Sequence, residues 1–126
     1  MFKQAIVSLW WSERLRNGTQ VACAKKHRDN NLLVEVKGDP RWFSRIDTDA
    51  LWEDHKEWAK DCGLTEYLRN TSKNGFMLMF YSTTGATKGR TRHGSRNAVK
   101  YVAVFKSKEY HEKYFQTDGM TVPADT

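Results

Sequence analysis

Between Tyr67 and Lys108 the chain carries no aspartate or glutamate, and its two longest apolar runs lie inside that stretch. The first is Phe76, Met77, Leu78, Met79, Phe80 and Tyr81; the second spans residues 99–105 and is apolar except at Lys100. Between them, residues 82–97 hold Gly85, Gly89 and Gly94, several hydroxyl side chains, Lys88, Arg90, Arg92, His93 and Arg96, and no large apolar side chain. Short apolar runs bounded by turn residues read as strands. The unbroken apolarity of 76–81 reads as a central strand buried on both faces. The insert then becomes a long, mobile, cationic loop joining two rigid strands. Loops beyond about 12–15 residues without structure of their own are uncommon in compact domains and are usually functional or disordered.

The rest of the chain reads around that hairpin. Residues 5–11, 19–24 and 32–37 are strand candidates, the first rich in β-branched and aromatic residues and the third alternating at its end. Residues 12–18 read as a turn between the first two, with Asn17 and Gly18 its strongest signal and a helical turn over Ser12–Leu15 the alternative. Adjacent residues on a strand face opposite ways, so Trp10 and Trp11 are expected on opposite faces. Asp39 and Pro40 stop the third strand. Residues 41–46 read as a linker in which Trp42 is an exposed aromatic flanked by Arg41 and Arg45. The clearest helix follows: Thr48 or Asp49 caps it, Leu51, His55, Trp58, Ala59 and Cys62 form its apolar stripe, and Gly63 ends it. Residues 65–68 add a turn. Ser107 caps a last short helix over 108–116.

The order β-β-β-α-β-β-α with short connections implies an α+β fold. It predicts a mostly antiparallel sheet of about five strands, with one main helix and a short C-terminal helix packed on one face. Residues 1–116 read as a single domain and 117–126 as a flexible tail. A chain of 126 residues needs neither disulfide nor metal to bury a core. Cys23 and Cys62 stand far apart without metal-ligand spacing, so both are expected as buried free thiols in a reducing, cytoplasmic setting. No cofactor, metal site or membrane segment is expected.

The net charge of +6 points to an anionic partner. Lys88, Arg90, Arg92 and Arg96 lie in the Gly-rich insert, whose glycines would let the backbone approach phosphate, with Lys100, Arg41, Arg45 and Trp42 as outlying contacts. The Gly-x-x-x-x-Gly-Lys-Ser/Thr phosphate loop is absent. His27, His55, His93 and His111 are scattered, His55 reads as a packed core residue, and the carboxylates near the main helix read as caps and solvated charges. The favoured reading is a small basic binding protein that grips nucleic acid, DNA or RNA, through phosphate contacts. The alternative is a protein-interaction module, in the manner of a virus-encoded inhibitor or regulator, docking on an acidic protein surface of a nucleic-acid enzyme. A nuclease or nucleotide-processing enzyme comes third, since no catalytic motif supports it.

Overall fold

The computed structural model describes residues 3–21, 34–36, 39–93 and 98–116, and the side chains of 3–21, 41–91 and 100–116. Helix α1 spans Lys3–Asn17, followed by strands β1 (Val34–Val36) and β2 (Asp39–Asp47). Helices α2 (Thr48–Asp61), α3 (Thr65–Arg69) and α4 (Lys73–Thr84) come next, then β3 (Thr87–His93), β4 (Ala98–Val104) and α5 (Lys108–Tyr114). The strands form one antiparallel sheet in the order β1-β2-β4-β3, with β1 only three residues long. The α+β class and the antiparallel pairing agree with the sequence. The five strands and their order do not, because two of the expected strands are helices.

The first is α1. Ile6, Val7, Trp10, Trp11, Arg14 and Leu15 are its buried positions, together with Ser8. Pairs repeating every four residues make one helical face, so Trp10 and Trp11 both enter the core instead of parting to opposite sides. Asn17 and Gly18 do not turn a hairpin. Gly18, at φ +79°, ends the helix, with its N–H on Leu15 O and the Thr19 N–H on Arg14 O. This is a helix-closing pair of bonds that requires a left-handed residue at Gly18.

The second is α4, which takes up the run 76–81. Ser72 caps it by accepting from the Gly75 N–H at 3.0 Å, and Gly85 terminates it in the left-handed region at φ +77°. Phe76, Met77, Phe80, Thr83 and Thr84 face inward, and Leu78 points out at 74% exposure. Val104 is only partly buried, whereas Phe76, Phe80, Val102 and Trp58 are core residues as expected.

Residues 41–46 are not a linker but the middle of β2, whose Arg45, Ile46 and Asp47 lie opposite Val104, Ala103 and Val102 of β4. Asp47, not Thr48 or Asp49, caps α2 by accepting from the Asp49 N–H at 3.1 Å. The α2 stripe is otherwise as expected, except that Cys62 is exposed as well as free. Gly63 ends the helix, α3 supplies the added turn, and Ser107 caps α5 through the Tyr110 N–H. β1 confirms part of the strand expected over 32–37. The strand expected over 19–24 is absent at 19–21. Its remainder, the Cys23 thiol and the tail from 117 lie outside the described residues.

Trp10, Trp11, Trp42, Phe76, Phe80 and Phe105 form a contiguous aromatic core, with ring centroids 5.7–6.4 Å apart between neighbours. It sits between α1, α4 and the sheet. Beside β2, the side chain of Gln20 pairs with the backbone of Phe43. Its Nε2 donates to Phe43 O at 2.7 Å and its Oε1 accepts from the Phe43 N–H at 3.1 Å. The buried amide thus pairs the backbone of Phe43 as a neighbouring strand would.

Candidate functional site

The insert read as a loop is mostly the β3–β4 ladder. Residues 82–84 belong to α4, and 87–93 form β3. In the ladder Lys88 lies opposite Ala103, Arg90 opposite Tyr101 and Arg92 opposite Val99. Opposed residues share a face, and alternate residues along a strand do too. Lys88 and Arg90 therefore occupy successive positions on the face that also carries Tyr101. Lys88 and Arg90 are exposed, and Tyr101 is 44% exposed between them. Lys88 Nζ stands 4.5 Å from the Tyr101 ring centroid and Arg90 Cζ 5.6 Å from it, both cation–π contacts. Among the described residues neither cation pairs with a carboxylate.

Beside this face the hairpin and α4 enclose a cleft of about 420 Å³. Met77, Leu78, Tyr81 and Tyr101 give its walls, and Lys73, Asn74 and Lys88 its polar edge. Lys73 also holds Asp49, whose Oδ2 lies 3.4 Å from Lys100 Nζ. The hydrogen bond and charge of Lys73, then those of Lys100, keep the Asp49 carboxyl below its ordinary pKa against the opposing effect of partial burial.

The other expected contacts are not brought to this face. Lys100 lies opposite Thr91 and leans on Asp49. Arg45 lies opposite Val104, in line with Thr87 and so on the other side of the sheet from Lys88. Arg41 is exposed at the far end of β2, its guanidinium near Gly18. Trp42 is 1% exposed, donates Nε1–H to Lys106 O at 2.8 Å and packs on Trp11, Phe105 and His111, so no base can stack on it. The glycines also have structural work. A Cβ at Gly85 would meet the Tyr114 ring at 2.8 Å, and one at Gly89 would meet Val104 Cγ2 at 2.7 Å. They admit neighbouring side chains rather than phosphate. Gly94, Arg96 and the side chains of Arg92 and His93 lie outside the described residues.

The sequence reading missed the cleft, because Leu78 and Tyr101 were assigned to buried strands. The signal was present in Ser72 and Gly85, which bracket 73–84 as a helix and leave Leu78 on the side opposite Phe76 and Phe80. The sequence matches no protein-family model, and comparison with curated proteins and with solved structures finds no significant match.

Two buried histidines, His55 and His111, sit at separate places in the packing. His55 is enclosed by Trp10, Trp52, Trp58, Tyr67 and Phe76, the last stacked at 4.5 Å, and its Nε2 is 2.6 Å from the Tyr67 hydroxyl. Burial, with the Arg14 charge second, pushes the His55 pKa down to about 3, and burial pushes Tyr67 up to about 12, so both are neutral. His111 is a clamp. Its Nδ1–H donates to Thr84 O at 2.7 Å and its Nε2 accepts from the Lys106 N–H at 2.8 Å, joining the ends of α4 and β4 to α5. Burial lowers its pKa, ahead of the opposing Thr84 bond. Both rings sit inside the packing, and among the described residues no three His, Cys, Asp or Glu converge as metal ligands.

The buried histidines give a pH prediction. The unfolded chain takes up a proton on His55 below about pH 6.5, and the folded chain resists until about pH 3. Stability is therefore whole above pH 6.5 and falls as pH drops through that window, at about 1.4 kcal/mol per unit for one proton. Chemical denaturation should show about 2–3 kcal/mol lost between pH 6.5 and 4.5 on account of His55. His55→Gln should flatten this slope whatever it does to stability at pH 7. An unchanged slope would mean that His55 is not held neutral.

Proposed function

We propose that the protein is a small basic binding module that engages nucleic acid through phosphate contacts from the β3–β4 hairpin. The observation that carries this reading is the placement of Lys88 and Arg90 side by side on one exposed face, flanking Tyr101, without a carboxylate partner among the described residues. The stretch from Tyr67 to Lys108 has no acid in its sequence, and the nearby Asp49 carboxylate is held by Lys73 and Lys100, so the local field favours anions. We include Arg92, further along β3, and Arg96, which follows it in the sequence. A paired ladder gives these side chains a rigid base, whereas a long loop would have to be ordered on binding. No helix among the described residues is long and apolar enough to cross a membrane. The free Cys62 fits the reducing, cytoplasmic setting that we assign to the module.

The test is the double variant Lys88→Ala/Arg90→Ala, titrated against mixed-sequence DNA and RNA over a range of salt. With about 0.9 counterions released per duplex phosphate contact, the slope of log affinity against log salt should shrink by about 1.8, alike for all sequences. The fold should hold, since exposed charge substitutions usually move stability by less than about 0.5 kcal/mol. Identical binding by the variant, or no binding of either nucleic acid by the wild type, would end this reading. Capture of an acidic protein by the same face would then replace it.

A further inference from the structure

We infer that the cleft between α4 and the β3–β4 hairpin receives a base of a single-stranded nucleic acid, while Lys73, Lys88 and Arg90 hold the adjoining phosphates. This rests on the nucleic-acid reading above and narrows it to the single-stranded form. Phosphate contacts alone would need only exposed cations on a convex surface. Here Lys73 and Lys88 border a concavity of about 420 Å³, within the roughly 300–1,000 Å³ range of sites that hold small ligands, and Arg90 reaches it through the Tyr101 ring.

The cleft lining matches a base better than it matches phosphate. Leu78, Met77, Tyr81 and Tyr101 are apolar or aromatic, and Leu78 at 74% and Tyr101 at 44% are among the most exposed large apolar side chains of the described structure. Two such side chains left open beside Lys88 and Arg90, with Lys73 shared with Asp49 at the rim, form a surface with an apolar centre and a positive edge. A base with its phosphate has the complementary form, a flat π-face attached to a negative group. Tyr101 supplies a ring already flanked by Lys88 and Arg90. Those two side chains are long and exposed, so they can turn from the ring to phosphates as a base takes their place, and a guanidinium plane itself accepts a stacked base. Asn74 at the edge adds an amide for a base edge.

A duplex keeps its bases stacked inward and would present only backbone to this cleft. A single strand can splay a base into it, which is how most single-strand binders combine a cationic track with aromatic platforms. The register also fits a strand running along the hairpin. Lys88 and Arg90 stand two residues apart on one face, a spacing of about 7 Å that approaches the separation of successive phosphates in an extended strand.

The experiment compares fluorescence-anisotropy titrations of three labelled probes of about 12 nucleotides, within the usual span of single-strand sites: a mixed-sequence single strand, the same backbone without bases, and the corresponding duplex. The single strand should bind about 5- to 150-fold more tightly than the abasic strand, the range given by one stacked base. Tyr101→Ala should remove most of that difference without changing the salt slope, and Tyr101→Phe should retain it. Leu78→Ala, at a side chain too exposed to matter for folding, should lose part of it and gives a second route should Tyr101→Ala unfold. If all three probes bind alike and Tyr101→Ala leaves the single strand and the abasic strand equal to their wild-type values, the cleft takes no base, and the phosphate-contact reading stands alone. If none of the probes binds, both readings fall together.

Discussion

Replacing Asp54 by alanine is expected to cost about 3–5 kcal/mol of folding stability, because it leaves a buried cation without its counter-charge. Asp54 is 3% exposed, and its Oδ2 accepts from Arg14 Nε at 2.9 Å and from Trp10 Nε1 at 3.0 Å. Arg14 is 7% exposed and lies over the Trp10 ring, so water cannot easily take over the role of the carboxylate. A surface pair of this length would be worth little, about 0–1 kcal/mol. The large cost belongs to breaking a buried pair and not to its net contribution. The two are separable: Asp54→Leu combined with Arg14→Met removes both charges and should recover much of the loss, since apolar replacements of buried pairs are often neutral or stabilising. Urea denaturation of the single and double variants checks this. A loss below about 1 kcal/mol for Asp54→Ala would show that the pair is hydrated in solution.

That pair also marks where the sequence was legible and where it was not. Arg14 sits in a segment that reads as a turn, and nothing local announces that it will be buried. Only the pairing of α1 with α2 across 40 residues gives it a partner. The main helix was legible because an acidic first turn, an apolar stripe at 3.6-residue spacing and Gly63 all agree. β4 was legible as a β-branched apolar run between turn residues, and the C-terminal helix from its serine cap. Residues 5–11 and 76–81 were not. Runs of six or seven apolar residues have no periodicity to separate helix from strand, and β-branched or aromatic content tilts the reading to strand. The decisive information lay outside each run: Gly18 after one, Ser72 and Gly85 around the other, each closing or opening a helix. Lys88, Arg90 and Arg92 stand out by composition, yet their place on a strand does not, because the insert looked too rich in glycine and charge to be a strand. Two of its glycines prove to be positions where Tyr114 and Val104 come too close for any side chain.

The substitution that separates the two readings of 76–81 is Phe80→Ala, set beside Leu78→Ala. Were the segment a strand, Phe76, Leu78 and Phe80 would share one face and both truncations would open the core. In the helix they part. Phe80 is fully buried and touches five aromatic rings, Trp10, Trp11, Phe76, Tyr81 and Phe105, at centroid distances of 5.7–5.9 Å. These rings come from α1, α4 and the end of β4, so the void left by alanine cannot close by moving one element, and the cost should reach about 3–5 kcal/mol. That is a large fraction of the 5–15 kcal/mol that usually holds a domain together. Leu78, which is 74% exposed, should change stability by no more than about 0.5 kcal/mol. Thermal melts of the two variants at one pH measure both. Comparable losses from Phe80→Ala and Leu78→Ala would restore the strand and remove the cleft, whereas a loss confined to Phe80→Ala fixes α4 with Leu78 outward at its mouth.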